Sequence, residues 1–426
     1  MSRFVIHGRR RLSGVVRPAG NKNAVLPMLA ASVLTDEPVT LDNVPQIRDV
    51  ETMLAILAAL GVAVERKGRR VTLCAHGLRR GQLDPALCRQ VRASILFAGP
   101  LTARLGRVTL PPPGGDIIGR RRLDTHVEGL AALGIEMQPG AGHYTFRRRN
   151  LRGTELTLDE ASVTATENIL MAAVLAEGTT TLFNAACEPH VGDLAALLIA
   201  MGAVIRGVGT NRLEIDGVAA LHGATHTVLA DHIEAGSYLL AAAATGGELT
   251  LEGAPLEPMA RLIRPLQRLG MACTLDADGR LTLPARRTRR IVRDLNGAIP
   301  KFEDGPWPAF PSDLMSVAIV AATQSSGTAL FFEKMFESRM YFVDELINMG
   351  AGIVVCDPHR VLVSGPARLH GTKMTTPDIR AGMALLVAAL CARGASVIEN
   401  AEVVDRGYER VEETLRGLGA DITREN

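Results

Sequence analysis

A helical pattern that ends in Leu-Gly or Met-Gly recurs along the whole chain. An amphipathic run such as residues 50–60 precedes the dipeptide, and a short alternating stretch such as 62–65 follows it. Glycine closes helices because it adopts the left-handed conformation at little cost, so each dipeptide predicts a junction from helix to strand. The pattern occurs at Leu60-Gly61, Leu133-Gly134, Met201-Gly202, Leu269-Gly270, Met349-Gly350 and Leu418-Gly419.

A second helix of small apolar residues, a glycine turn and a strand lie upstream of each junction, as in 169–176 followed by 179–183. The repeated unit of about 70 residues is longer than the common solenoid repeats of about 20–50 residues. Six βα units are compatible with one closed barrel, a solenoid or two clusters of three. We favour an α/β fold with two clusters, because 426 residues exceed one ordinary core.

The composition limits which residue types can build the core and which classes of partner the net charge favours. Hydrophobic residues make up 47% of the chain and aromatic residues 4%, so the core must be built mainly from Ala, Leu, Val and Ile. A net charge of +2 gives no argument for binding nucleic acid or an acidic membrane. The cations are nearly all Arg, and the lysines are Lys22, Lys67, Lys301, Lys334 and Lys373.

The cysteines form no CxxC pair and mostly adjoin apolar residues, which predicts reduced core thiols. The start of the chain has no signal-like apolar region, and no apolar run approaches the roughly 18 residues of a membrane span. We therefore expect a cytoplasmic protein.

Two segments favour anion binding. Gly20-Asn21-Lys22-Asn23-Ala24 opens a helix, whose free N–H groups and the Lys22 charge favour an anion, although a solvated lysine is the plainer alternative. Residues 111–126 hold three prolines, three glycines and three adjacent arginines. They predict a long loop that closes over a site, or else an ordinary surface loop, and at most one or two of these arginines could face a ligand.

Other charged residues can be explained by a structural role as well as by ligand binding. Asp313 follows Pro and Ser at a predicted helix start, where an acid stabilises the first turn by about 1 kcal/mol. Arg339, Arg380 and Arg406 belong to segments that each place an Arg near a helix start, and they either form surface ion pairs or converge on one anion. The arginine-rich segment 286–293 lacks interleaved aromatic residues, so a solvated basic strand is favoured over a nucleic-acid surface.

Taken together, these segments resemble the enolpyruvyl transferase family, in its nucleotide-sugar branch. Any one segment is weak evidence, but five in this order are specific: residues 20–24, 91–94, 114–116 with 119–121, 308–313 and 405–410. The resemblance implies a two-lobed inside-out α/β barrel with six βαβαββ-like repeats, three per lobe, and substrates bound between the lobes. The predicted N-terminal lobe is 22–229, with its active-site loop near 111–122, and the C-terminal lobe is 1–21 plus 230–426, completed by the N-terminal strand.

The resemblance also implies a reaction. The enolpyruvyl group of phosphoenolpyruvate passes to the 3-hydroxyl of UDP-N-acetylglucosamine and phosphate leaves, with no metal or organic cofactor; this is the first committed step of peptidoglycan precursor synthesis. The implied catalytic residues are Asp116, Asp313, Lys22 and Arg406. Implied around the substrates are Lys22, Asn23, Arg92, Arg121, Arg122, Leu123, Asp124, Thr125, Ser162, Val163, Thr164, Asp313, Met335, Arg339, Asp378, Arg380 and Arg406.

This chain departs from the family pattern at Asp116, where many members carry Cys, and at Arg122, Glu160 and His232. An aspartate of ordinary pKa, about 3.9, is a poorer proton reservoir at neutral pH than a thiol of about 8.5, so the acid role requires a desolvated Asp116. Insensitivity to the thiol-alkylating epoxide fosfomycin is expected. Transfer to another nucleotide or to shikimate 3-phosphate, and a non-catalytic binding paralogue, remain alternatives.

Overall fold

The computed structural model describes residues 2–116, 118–286 and 289–425. The protein is mixed α/β and divides into two compact units, each with its own apolar core. Unit 1 contains Met1–Ala19, Asp116–Arg120 and Ala230–Asn426, and unit 2 contains Gly20–Gly115 and Arg121–Leu229.

The strands are β1 Arg3–His7, β2 Ser13–Val16, β3 Val39–Asp42, β4 Ala63–Lys67, β5 Arg70–Cys74, β6 Arg107–Leu110, β7 Ile135–Gly140, β8 His143–Arg148, β9 Glu155–Thr157, β10 Thr179–Phe183, β11 Val204–Arg206, β12 Arg212–Asp216, β13 Ala224–Thr227, β14 Glu248–Leu251, β15 Thr274–Leu275, β16 Leu281–Leu283, β17 Lys301–Glu303, β18 Gly327–Phe332, β19 Gly352–Asp357, β20 Arg360–Gly365, β21 Lys373–Thr375, β22 Ala395–Glu399 and β23 Asp421–Glu425.

The α-helices are α1 Lys22–Ala31, α2 Arg48–Leu60, α3 Pro85–Cys88, α4 Ala98–Leu105, α5 Asp124–Ala132, α6 Val163–Ala173, α7 Pro189–Ala200, α8 His232–Ala244, α9 Leu256–Arg268, α10 Ser312–Thr323, α11 Val343–Asn348, α12 Ile379–Cys391 and α13 Val411–Gly417.

Unit 2 places buried helices against small sheets. Its sheets have the strand orders β13-β3-β5-β4, β6-β8-β7 and β11-β12-β10-β9. Helix α6 packs on α1, α4 and α5, and each of its residues from Ala165 to Ala173 is buried. Strands such as β3 and β10 alternate buried and less buried residues, which is the pattern of a sheet with one face on the core.

Unit 1 has the same kind of layering. Its sheets are β15-β16-β14-β2, β17-β18-β20-β19 and β21-β22-β1-β23, so that the N-terminal strand β1 lies between β22 and β23. Helices α8, α10 and α12 pack on one another, and every residue of α8 is buried. Helices α8 and α10 approach closely at Gly236, where an added Cβ would lie 2.7 Å from Leu314 Cδ1.

The predicted left-handed glycines are confirmed at all six junctions. The φ angles of these residues lie between +87° and +102°, in the region that glycine tolerates best. The residues are Gly61, Gly134, Gly202, Gly270, Gly350 and Gly419.

The prediction of a solvated basic strand over 286–293 is confirmed only in part for the described residues, which exclude Arg287 and Thr288: Arg286, Arg290 and Arg293 are exposed. No strand forms there, and Arg289 is only 3% exposed. Its guanidinium donates to the carbonyls of Ala243, Gly247 and Pro284 at 3.2–3.3 Å. Arg289 therefore satisfies one carbonyl group in the last turn of α8, one just before β14 and one after β16, which the local sequence pattern does not reveal.

The six thiols are free, and they are less uniformly buried than predicted. Cys88 and Cys273 are buried, whereas Cys356 is exposed on β19. Among the helices of the described residues, none has the length and apolar character needed to cross a membrane.

Candidate active site

The turn before α1 holds a buried lysine. Lys22 is 8% exposed and its Nζ lies 2.8 Å from Asp49 Oδ2 in the first turn of α2, so the alternative of a solvated lysine is wrong. Asn21 caps the helix, because its Oδ1 accepts from Ala24 N at 3.0 Å. Asn23, the second residue of α1, is partly exposed. A paired cation and a capped helix N-terminus thus occupy one place, which suits an anion.

Two arginines of unit 2 are neighbours. Arg92 begins a 3-10 helix, and its Nη2 donates to the Arg121 carbonyl at 2.6 Å. Burial, and then the positive charge of Arg121, lower the pKa of Arg92 to about 10. Gly115 approaches Arg92 closely, since an added Cβ would stand 2.9 Å from the Arg92 Cβ. This concentration of positive charge would stabilise an anionic ligand.

The loop that follows β6 ends at α5, as predicted, and Ile117 lies outside the described residues. Arg122 is exposed, and its guanidinium lies 3.4 Å from Asp159 and 3.6 Å from Asp124. Leu123 is partly buried just before α5. Arg122 therefore serves surface ion pairs in this structure, which agrees with the expectation that not all three arginines face a ligand.

A buried polar network links α5 to the start of α6. Asn168 Oδ1 accepts from Gly99 N at 2.6 Å, which fixes its amide, and Asn168 Nδ2 donates to Ile95 O at 2.8 Å and to His126 Nδ1 at 3.1 Å. The His126 proton is therefore on Nε2, which lies 3.1 Å from Thr164 Oγ1 and donates to it. Burial lowers the pKa of His126 to about 3, so the ring is neutral.

The consequence concerns Thr164. Because its oxygen accepts from His126, its own hydroxyl hydrogen is left to donate to a ligand. Ser162 caps α6, accepting from Ala165 N at 3.4 Å, and Val163 is the first residue of that helix. Thr125, buried beside His126, donates to Glu160 Oε1 at 3.2 Å.

In unit 1, Asp313 joins two arginines. It lies in the first turn of α10, and its two carboxylate oxygens accept from Arg339 Nη2 at 2.8 Å and Arg380 Nη2 at 2.7 Å. The guanidinium groups also stack on aromatic rings, Arg339 on Phe336 and Arg380 on Tyr408. Arg339 Nε and Nη1 are buried and have no hydrogen-bond partner in the structure. Two donors are thus available to an anion beside Asp313.

Arg380 owes its position to Asp378. The Asp378 carboxylate caps α12, accepting from the backbone N–H groups of Arg380 at 2.8 Å and Ala381 at 3.0 Å. Burial raises the pKa of Asp378, although its N–H partners favour the charged form. Asp378 therefore supports the helix end from which Arg380 projects.

Asp116 pairs with Arg406, and both side chains are mostly buried. The segment 405–410 places an Arg at a helix start, as predicted, but that residue is Arg410, which directly precedes α13. Arg406 ends a 3-10 helix, Ala401–Arg406. Met335, which is 40% exposed, hydrogen-bonds through its backbone N–H to Asp304 Oδ2 at 3.3 Å.

Three acidic residues that contact site residues were not predicted from the sequence: Asp49, Asp304 and Glu333. Asp49 sits in the first turn of a helix, where acids are common for capping reasons alone. The one sequence feature that could have indicated Asp49 is the scarcity of lysine, which singles out Lys22. A buried lysine needs an anionic partner. In the part of the chain that the structure describes, no group of three or more His, Cys, Asp or Glu residues could hold a metal ion.

Comparison with known proteins gives matches over nearly the whole chain. The family model for EPSP synthase (3-phosphoshikimate 1-carboxyvinyltransferase) matches residues 6–415. A Bradyrhizobium diazoefficiens protein named UDP-N-acetylglucosamine 1-carboxyvinyltransferase is 54% identical over 422 residues, which cover 99% of this chain and 97% of that protein. A protein of Treponema pallidum with the same name is 51% identical, with 100% of both chains covered.

Two solved structures superpose on nearly the whole chain. The enolpyruvyl transferase NikO from Streptomyces tendae superposes with a TM-score of 0.88 at 25% identity, covering 99% of this chain and 98% of that one. EPSP synthase from Acinetobacter baumannii superposes with a TM-score of 0.75 at 20% identity and 100% coverage of both chains. With a family match over nearly its whole length, the chain belongs to the EPSP synthase family of enolpyruvyl transferases.

Proposed function

We propose that this protein transfers the enolpyruvyl group of phosphoenolpyruvate to the 3-hydroxyl of UDP-N-acetylglucosamine, the step that commits this sugar to peptidoglycan synthesis. The observation that carries the proposal is the carboxylate of Asp313 held between Arg339 and Arg380. A base beside buried cations is what the addition of a hydroxyl to an anionic enol ester needs. The names of the relatives at 54% and 51% identity support the choice of acceptor.

The cations are assigned to the donor. Phosphoenolpyruvate carries a phosphate and a carboxylate, and charge-assisted hydrogen bonds to such groups contribute about 1.5–3 kcal/mol each. The unpaired buried N–H groups of Arg339 support this role. The proposed donor-binding residues are Lys22, Arg121, Arg339, Arg380 and Arg406.

The acceptor is assigned to residues mainly of unit 2. The capped start of α6 and the hydroxyl of Thr164 offer donors to a diphosphate. The proposed positions around the nucleotide sugar are Asn23, Arg92, Arg121, Arg122, Leu123, Asp124, Thr125, Ser162, Val163, Thr164, Asp313 and Met335, with Asp378 supporting Arg380.

The chemistry has two stages. Asp313 takes the proton of the acceptor hydroxyl, whose oxygen bonds to C2 of phosphoenolpyruvate, while Asp116 gives a proton to C3. The bond from C2 to the phosphate oxygen then breaks, C3 loses a proton, and an enol ether and inorganic phosphate result. Because Asp116 pairs with Arg406 in the structure, the acid role requires the anionic donor to replace Asp116 at that guanidinium.

The two units are proposed to be the two predicted lobes, each an inside-out α/β barrel of three repeats. Their bounds differ from the predicted ones at residues 20–21, which belong to unit 2, and at Asp116–Arg120, which belong to unit 1 and not to the N-terminal lobe. Buried helices flanked by three small sheets in each unit support this assignment, as does the pairing of β1 with β22 and β23. The cytoplasmic location stays a prediction.

Acceptor identity is tested by phosphate release. With phosphoenolpyruvate, we expect release with UDP-N-acetylglucosamine and none with shikimate 3-phosphate or with UDP alone, and mass spectrometry should find the enol ether of the sugar nucleotide. Release only with another acceptor would contradict the proposed substrate. No release with any acceptor would support the alternative of a binding paralogue.

Thr164→Val should raise the KM for UDP-N-acetylglucosamine about 10-fold with little change in kcat, because one charge-assisted hydrogen bond is lost. Thr164→Ser keeps the hydroxyl and should restore the wild-type KM. Steady-state kinetics with saturating phosphoenolpyruvate measure both constants. A Val variant with an unchanged KM would show that this hydroxyl does not bind the acceptor.

A further inference from the structure

Two fully buried carboxyl groups lie beneath the segment that leads to Arg339. Asp304 follows β17 and Glu333 follows β18, and each is 0% exposed. The Asp304 oxygens accept from Lys334 N at 2.5 Å and Met335 N at 3.3 Å. Glu333 Oε1 accepts from Phe336 N at 3.2 Å. The two side chains therefore hold three consecutive backbone N–H groups of one turn.

One member of the pair is protonated. Burial and the adjoining Asp304 carboxylate raise the pKa of Glu333, because two neighbouring buried carboxylates repel each other when both are ionised. Both Asp304 oxygens already accept backbone N–H groups, which favours the charged form there. The proton therefore belongs to Glu333, and burial followed by the interaction with Asp304 raises the pKa of Glu333 to about 9.

Glu333 reaches the candidate base through Ser312. The Ser312 hydroxyl lies 2.8 Å and 3.0 Å from the two Glu333 oxygens and donates to them. Ser312 is the first residue of α10, directly before Asp313. The segment held by Asp304 and Glu333 leads within three residues to Arg339, which pairs with Asp313. Both members of the Asp313–Arg339 ion pair are thus fixed by the same buried carboxyl pair.

We infer that Glu333 is a positioning residue for the transfer reaction: its buried carboxyl, hydrogen-bonded to Ser312 and to the backbone N–H of Phe336, holds Asp313 and Arg339 in their reactive arrangement. The inference rests on the proposed function, in which Asp313 is the base. Glu333 and Asp304 act through these neighbours and touch neither substrate in this assignment.

Loss of this proton should be costly. The charged groups that face Glu333 are Asp304 and Arg339, Ser312 adds a hydroxyl, and the His359 ring contacts the Glu333 carbonyl with Nδ1 at 2.8 Å. At high pH two adjacent buried carboxylates would repel each other with one arginine to offset them. The turn over 334–336 would then shift, and kcat should fall above about pH 9.

The kinetic test compares pH profiles of kcat and KM for the wild type, Glu333→Gln and Asp304→Asn. Glu333→Gln removes the titrating carboxyl and keeps an oxygen that can accept from Ser312 and from Phe336 N. Asp304→Asn removes the neighbouring charge and leaves one oxygen for the N–H groups of Lys334 and Met335. We expect near-wild-type kcat at pH 7.5 in Glu333→Gln, and the alkaline fall in kcat should move to higher pH in both variants. Glu303→Gln is the matched control, since that neighbouring carboxylate pairs with Lys301 and Lys334 and should leave the wild-type profile intact.

The pH dependence of the melting temperature tests whether Glu333 carries a proton in the folded protein, and it requires no enzymatic activity. The pKa of Glu333 rises on folding from 4.5 to about 9, so its contribution to stability is complete below pH 4.5 and is lost as pH rises toward 9. Between pH 6 and pH 9 the melting temperature of the wild type should fall more than that of Glu333→Gln.

The outcomes separate the two proposals. Equal melting slopes, or an alkaline limb of kcat in Glu333→Gln that coincides with the wild-type limb, would overturn the role of Glu333. Absence of phosphate release in the wild type, with the melting difference present, would instead reject the proposed reaction and leave the buried proton of Glu333 supported.

Discussion

Replacing Asp313 with asparagine should lower kcat by about 10²–10⁴-fold, the usual contribution of a positioned general base. The asparagine oxygen still accepts from one of the two guanidinium groups, Arg339 or Arg380, while its NH2 group faces the other without accepting, and the proton acceptor is lost. Binding of UDP-N-acetylglucosamine, measured by isothermal titration calorimetry, should stay detectable. Asparagine is preferable to alanine here, because removing one partner of buried charges costs about 3–5 kcal/mol.

Asp294→Asn provides the control for that experiment. Asp294 also pairs with an arginine, Arg268, at 2.8 Å, but both side chains are well exposed, so the change should leave kcat and melting unaltered within error. A wild-type rate in Asp313→Asn would remove Asp313 from the role of base. A loss of rate accompanied by unfolding would show in the melting curve.

Fosfomycin should leave the wild-type enzyme active and should inactivate Asp116→Cys. The epoxide alkylates a thiol at the loop tip, and this chain has a carboxylate there. In the variant, Arg406 would stand beside the new sulfur as it stands beside Asp116, and a neighbouring cation lowers a thiol pKa and raises the thiolate fraction. Residual phosphate release after incubation with the drug measures the effect.

The exposed Cys356 requires its own control. Peptide mapping should place the adduct at position 116 in the variant, and Cys356→Ala in both backgrounds should leave the two outcomes unchanged. Rapid inactivation of the wild type, blocked by phosphoenolpyruvate, would contradict the assignment of Asp116 as the loop-tip residue.

Local patterns predicted the helix ends and the loops well. The six glycines with positive φ were predictable because backbone conformation at a helix end depends on neighbouring residues only. The loop before α5 and the start of α10 were predictable for the same reason.

Local sequence patterns could not predict which residues of the site lie together. Asp313 meets residues that are 26 and 67 positions away in the chain, so the sequence showed candidate charges and the family resemblance suggested which ones belong together. The Asp304–Glu333 pair gave no signal, because a buried acid and an exposed acid look alike in a sequence. Arg289 misled for the same reason, since its carbonyl partners depend on tertiary structure.

The pairing of β1 has a consequence for the synthesis of the chain. Arg3 is opposite Glu399 on one side and Glu425 on the other, so β1 must wait for its partners until β22 and β23 have left the ribosome. At about 5–20 residues per second, that delay is on the order of tens of seconds. Unit 2, which ends at Leu229, can complete its core during this time, while β1 keeps two unpaired edges that favour association with other chains. Nascent unit 1 is therefore the part of this protein that most needs protection from aggregation.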